Sequence, residues 1–175
     1  MGETGEANIL KGMVAGAVGG LVASWTMNQF QKVWSAAEKE ITGGKQGQDG
    51  EKNGEDAEGA EDATMKTADR ISEALQGRHL TGEEKKKAGP VVHYSFGALM
   101  GAVYGASVEV NTAANVLAGI PFGAILFAGA DEVALPALGL SDKPAAYPLS
   151  THVYGLVSHA VYGVTTETVR RIVRG

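Results

Sequence analysis

The sequence predicts an all-α, polytopic membrane protein: a four-helix transmembrane bundle with a long, disordered acidic loop between spans one and two. Three observations carry this. Four apolar segments are separated by polar flanks, each about the 18–20 residues a helix needs to cross a hydrocarbon core of roughly 30 Å. Charges crowd into one central block and are nearly absent elsewhere. Glycine supplies 25 of 175 residues, about twice its usual share of roughly 7 per cent. In water each helical glycine costs about 1 kcal/mol against alanine. In lipid, apolar burial gives helices no reason to associate, and small residues let backbones approach. The alternative is a soluble bundle of buried Gly/Ala helices, which would leave little amphipathic surface for water.

Span one is read at residues 9–30, where Lys11 is the only charge. Two acids precede it, and Trp25 and Met27 follow Ala23 where a cleavage site would need small residues, so a retained span is expected rather than a signal peptide. Residues 31–89 form a polar connection. Within it, 43–62 ("GGKQGQDGEKNGEDAEGAED") lacks large apolar side chains and is expected to be disordered. Residues 63–88 read as short amphipathic helices. Ala68, Ile71 and Leu75 share one face, suited to lie on a membrane surface. Thr81 and Glu84 have the spacing of a capping box, with Leu80 as the staple residue. Pro90 should break the helix or open the next one.

Span two is read at 91–109, span three at 113–134 and span four at 150–170. From Val91 to Val108 no Asp, Glu, Lys or Arg occurs. Each span carries a small face for helix packing: Gly12, Gly16 and Gly20; Gly97, Gly101 and Gly105; Gly119 and Gly123; Gly155 and Gly163.

Alternating spans would bring His93, Asp131, Glu132 and His152 to one membrane face, with Asn28 and Gln29 beside them. Glu109, Glu167, Arg170, Arg171 and Lys11 would collect at the other, roughly 25 Å away. Glu109 would pair there with Arg170 or Lys11. His159 alone lies deep, about 10 Å along the helix from His152. The first layer admits three readings: interhelical hydrogen bonding at the interface, a metal site on His93, Asp131, Glu132 and His152, or a proton or ion path through His159. The metal reading lacks a tight ligand motif such as HExxH. Basic residues count against each other, Lys85–Lys87 on one face and Arg170, Arg171 and Arg174 on the other. The arginine cluster tilts the reading toward cytoplasmic termini.

The chain holds no cysteine, so disulfides, thiolate metal sites and Cys nucleophiles are excluded. A net charge of −5 gives no nucleic-acid footprint. "GMVAGAVGG" lacks the strand and glycine pair of a dinucleotide fingerprint, and no catalytic motif is visible.

The segments "STHVYGLVSHAVYGVTTETVRRIVR" and "HYSFGALMGAVYG" resemble the C-terminal and middle spans of the YagU-like family of small bacterial inner-membrane proteins, over about the last half of the chain. The long acidic loop departs from that family. The resemblance implies an inner-membrane location, a multi-pass topology and a link to acid or envelope stress. The expected function is that of a non-enzymatic structural, accessory or stress-related membrane protein. It would self-associate or bind a membrane partner through its glycine-rich faces, with lipid around it and no cofactor. A proton or ion permease and a metal-dependent membrane enzyme are the alternatives.

Overall fold

The computed structural model describes residues 3–41 and 62–175. Its helices are α1 (Glu3–Ile41), α2 (Ala63–Gln76), α3 (Gly82–Val110), α4 (Ile120–Leu126), α5 (Leu135–Ala137) and α6 (Leu149–Arg174). A π-helical segment, Phe127–Ala134, joins α4 to α5. Short 3-10 segments lie at Thr112–Gly119 and Pro144–Ala146. No strand occurs among the described residues. The expectation of disorder at 43–62 lies outside them, except for Asp62, which caps α2 by accepting a hydrogen bond from the Met65 amide at 2.8 Å.

α1 lies at the centre, with α3 along one flank and α6 along the other; α4 packs on α6. The glycines show how closely. A Cβ on Gly16 would run into the Gly101 backbone, one on Gly20 into Gly97, and one on Gly105 into Gly12. The two stripes therefore face each other in antiparallel order. Gly119 meets Gly163, Gly123 meets the His159 backbone, and Phe127 covers Gly155. The chain's own helices occupy these small faces.

Among the described residues, three stretches are long and apolar enough to cross a membrane: Asn8–Glu40, Gly82–Val110 and Thr112–Ala137. α6 is long enough at 26 residues, but its polar side chains keep it from matching them in composition.

Several boundaries differ from those read in the sequence. α1 extends past residue 30 to Ile41. The Thr81–Glu84 capping box forms with both halves made, but α3 then runs through Pro90 without stopping. Residues 82–88 are thus the first turns of α3, not a separate amphipathic helix. Gly89 lets α2 sit close, since a Cβ there would meet Thr64 and Met65 at 3.0 and 3.1 Å. α2 buries Ala68 and Ser72, and Ile71 and Leu75, read with Ala68 as a face for the membrane surface, point away from the bundle. The Asp69 carboxylate accepts from the Leu80 amide at 2.6 Å and pairs with His79 and Lys85 at 3.0 and 3.2 Å, clasping α2 to α3. The third segment is not one α-helix from 113. Leu117 and Ala118 stand at φ 51° and 52°, a left-handed conformation that is uncommon outside glycine, and Gly119 follows at 85°. This reverses the chain before Ile120, and Pro121 sits in the first turn where it lacks no needed donor.

Polarity is inverted relative to a water-soluble bundle. The most buried positions include Ser24, Ser158, Thr166, Glu167 and Arg170, whereas Leu10, Val14, Trp25, Leu99 and Val103 point outward. A small apolar cluster of Ala23, Met27 and Tyr162, flanked by Phe122 and Leu126, fills the middle.

Candidate functional site

The site is built along the inner face of α6. Ser158, Tyr162, Thr166 and Arg170 recur at four-residue spacing, and His159, Gly163 and Glu167 form the adjacent row; all seven are buried. The first row turns toward α1, since Thr166 stands against Gly19 and Tyr162 joins the Ala23–Met27 cluster. The second turns toward α4, where Gly163 and Glu167 stand against Gly119.

At the start of α6, His152 meets Glu132. Its Nδ1 lies 2.7 Å from the Glu132 carboxylate and its Nε2 3.1 Å from the Pro144 carbonyl. Both neighbours only accept, so both bonds form together only when the ring carries two protons. Two turns further on, His159 Nδ1 lies 2.9 Å from the Gly155 carbonyl and 3.8 Å from Asp131 Oδ2. The π-helical turn, with its wider i→i+5 pitch, lets the consecutive residues Asp131 and Glu132 both face α6. The His93 ring lies against the Ser24 carbonyl, within electrostatic reach of His159. Of the four residues read as one layer, only Glu132 and His152 pair with each other; Asp131 turns to the deeper His159, with His93 beside it. Among the described residues no three His, Asp or Glu side chains converge as metal ligands would.

At the far end of α6, Glu167 accepts from Arg170 at 2.7 and 3.0 Å and also binds Arg171. Glu109 takes Arg174 at 2.7 Å, and Asn8 joins the same guanidinium at 3.3 Å. The expected pairing of Glu109 with Arg170 or Lys11 is replaced by Arg174, because Arg170 turns inward onto Glu167 one turn earlier. Tyr104 is buried beside this cluster, stacked on Phe122 at 4.5 Å.

The sequence reading missed Ser24, Ser158, Tyr104, Tyr162 and Thr166. Tyr162 Oη donates to the Gly97 carbonyl at 2.6 Å, tying α6 to α3 across α1. The four-residue recurrence of 158, 162 and 166 beside the glycine-histidine row was the available signal.

Residues 71–168 match a family described as a protein of unknown function, DUF1440. The chain belongs to the DUF1440 family. The family match takes in His93, Asp131, Glu132, His152, His159, Glu109 and Glu167, and stops short of α1 and Arg170. No curated protein and no solved structure matches the chain.

Proposed function

We propose that this DUF1440 protein is a four-span, multi-pass protein of the bacterial inner membrane with a non-enzymatic, structural or accessory role. The observation that carries the reading is how α6 distributes its polarity. Its ionisable and hydroxyl groups Ser158, His159, Thr166, Glu167 and Arg170 are buried, whereas Leu149, Val153, Leu156 and Ile172 are exposed. Averaged along its length α6 is too polar to be read as a span, but the surface it presents outward is apolar. Ionisable groups inside a membrane characteristically face the bundle interior and pair there, which is the arrangement of Glu167 with Arg170. The resemblance to YagU-like proteins supports the bacterial inner membrane.

The glycine stripes hold the protein's own helices, so contact with a second copy or a membrane partner falls to the outward flank of α1 around Val14, Leu21 and Trp25. The chain has no native cysteine, so single-cysteine labelling in sealed vesicles tests the topology. Asp142→Cys and Gly175→Cys should react from opposite sides, with Gly175 on the cytoplasmic one. Labelling of both from one side would overturn the fourth span.

A further inference from the structure

We propose that the polar seam of α6 is a proton-transfer path in which His159 carries the proton at mid-helix. The proposal rests on the four-span reading and adds an activity to it. From Thr151 to Arg170 the seam rises about 28 Å, close to the thickness of a hydrocarbon core of roughly 30 Å.

Buried polar atoms with no hydrogen-bond partner among the described residues recur along it. Thr151 Oγ1 lies near the start, and Ser158 Oγ, Ser24 Oγ and His93 Nε2 in the middle, while the Tyr104 hydroxyl stands beside Glu167 at the far end. A buried polar group left dry and unpaired is costly. Water bridging satisfies such groups where several stand together. A seam hydrated at these heights links the Glu132–His152 mouth, where both side chains are 26% exposed, to the Glu167 end.

His159 has the geometry of a carrier. Its Nδ1 faces two acceptors, the Gly155 carbonyl and the Asp131 carboxylate. In the neutral ring the hydrogen therefore sits on Nδ1 and Nε2 is the free acceptor. A proton arriving from water at Nε2 makes an imidazolium, whose charge Asp131 offsets; its departure from Nε2 to the next water restores the neutral ring. No other bond changes. The groups around His159 are Asp131 from the π segment, His93 from α3, and the Phe127 ring at 5.6 Å.

The backbone contacts of Gly119, Gly123 and Gly163 bring α6 against the start of α4 along one side of the seam. At the far end Glu167 and Glu109 offset all but one of the positive charges of Arg170, Arg171 and Arg174, so the exit is not a bare cationic barrier of the kind that repels protons in other pores.

The full chain in phosphatidylethanolamine/phosphatidylglycerol liposomes, with a pH-sensitive dye inside and a potassium diffusion potential across the bilayer, reads the activity. Wild-type flux should exceed that of empty liposomes by at least ~10-fold, and His159→Gln and Asp131→Asn should each remove at least ~10-fold of it, the scale of a lost positioned proton carrier. His79→Ala, on the exposed turn after α2, should match wild type. Opposite labelling of Asp142→Cys and Gly175→Cys in the same liposomes, together with flux no greater than in empty ones, would overturn the path and leave the span reading standing. Wild-type flux through His159→Gln would also overturn it. Labelling from one side would overturn the spans and the path together.

Discussion

Replacing Gly16 by alanine should drive α1 and α3 apart. The new Cβ would overlap the Gly101 carbonyl oxygen, lying 2.9 Å from its carbon and 3.0 Å from the Gly105 Cα. These obstacles are backbone atoms and cannot rotate away. The helices must separate by about 0.5–1 Å, which forfeits roughly a quarter to a half of the dispersion energy at each contact along the seam. Overpacking of this kind costs about 1–3 kcal/mol, and an immovable backbone places Gly16 near ~3. Alanine returns about 1 kcal/mol of helix propensity. The net loss is about 2 kcal/mol, or ~30-fold in the folding equilibrium. Detergent-to-SDS unfolding followed by the fluorescence of Trp25 and Trp34 measures it; both tryptophans lie on α1, and Trp34 packs 5.8 Å from Tyr154 of α6. Gly129→Ala is the control, because a Cβ there meets nothing within 4 Å. It should be neutral or slightly stabilising. If Gly16→Ala unfolds at the same SDS fraction as Gly129→Ala, the reasoning from close backbone approach is refuted.

In the same assay Glu167→Gln should cost about 3–5 kcal/mol, because it leaves a buried guanidinium without its counter-charge. Glu109→Gln, whose partner Arg174 is more exposed, should cost about 1 kcal/mol or less. The α2–α3 clasp should respond to acid. The Leu80 amide, followed by His79 and Lys85, holds the Asp69 carboxyl below its ordinary value. A depressed folded-state value means that the clasp is fully present above the unfolded-state value near ~3.9 and weakens as pH falls through the lower folded one. Amide exchange at Leu80, corrected for intrinsic rate, should therefore quicken only in that acid range, whereas Asp69→Asn should exchange fast at every pH. An acid-independent rate in the wild type would remove Asp69 from the clasp.

The features legible in the sequence were those written in local spacing. The glycines of α1 and α3 recur every fourth residue, so their stripes could be read without a partner in view. The Thr81–Glu84 box is a four-residue pattern and forms as read. What stayed hidden depends on neighbours. α3 continues through Pro90, and α2 packs at Gly89 beside it, a contact that local helix rules do not contain. The left-handed turn at Leu117 and Ala118 uses side chains that ordinarily avoid it, so composition gave no cue. The π-helical segment holding Asp131 and Glu132 is a shift in backbone hydrogen bonding, not a residue pattern, and it decides that these carboxylates serve two different histidines. Averaged hydropathy hid the character of α6, because its polar groups and its apolar groups share one helix on opposite faces.

The most direct test of the account is a site-directed spin-label scan of α6 from Val153 to Thr168 in liposomes, with oxygen and a polar nickel chelate as relaxants. Oxygen contact should oscillate with a period near 3.6 residues, high at Val153, Leu156 and Ala160 and low at Ser158, Tyr162 and Thr166. Superimposed on it should be a depth profile that peaks at mid-helix. A flat depth profile, with His159, Gly163 and Glu167 open to the nickel chelate, would place α6 on the membrane surface and contradict the inward-facing fourth span.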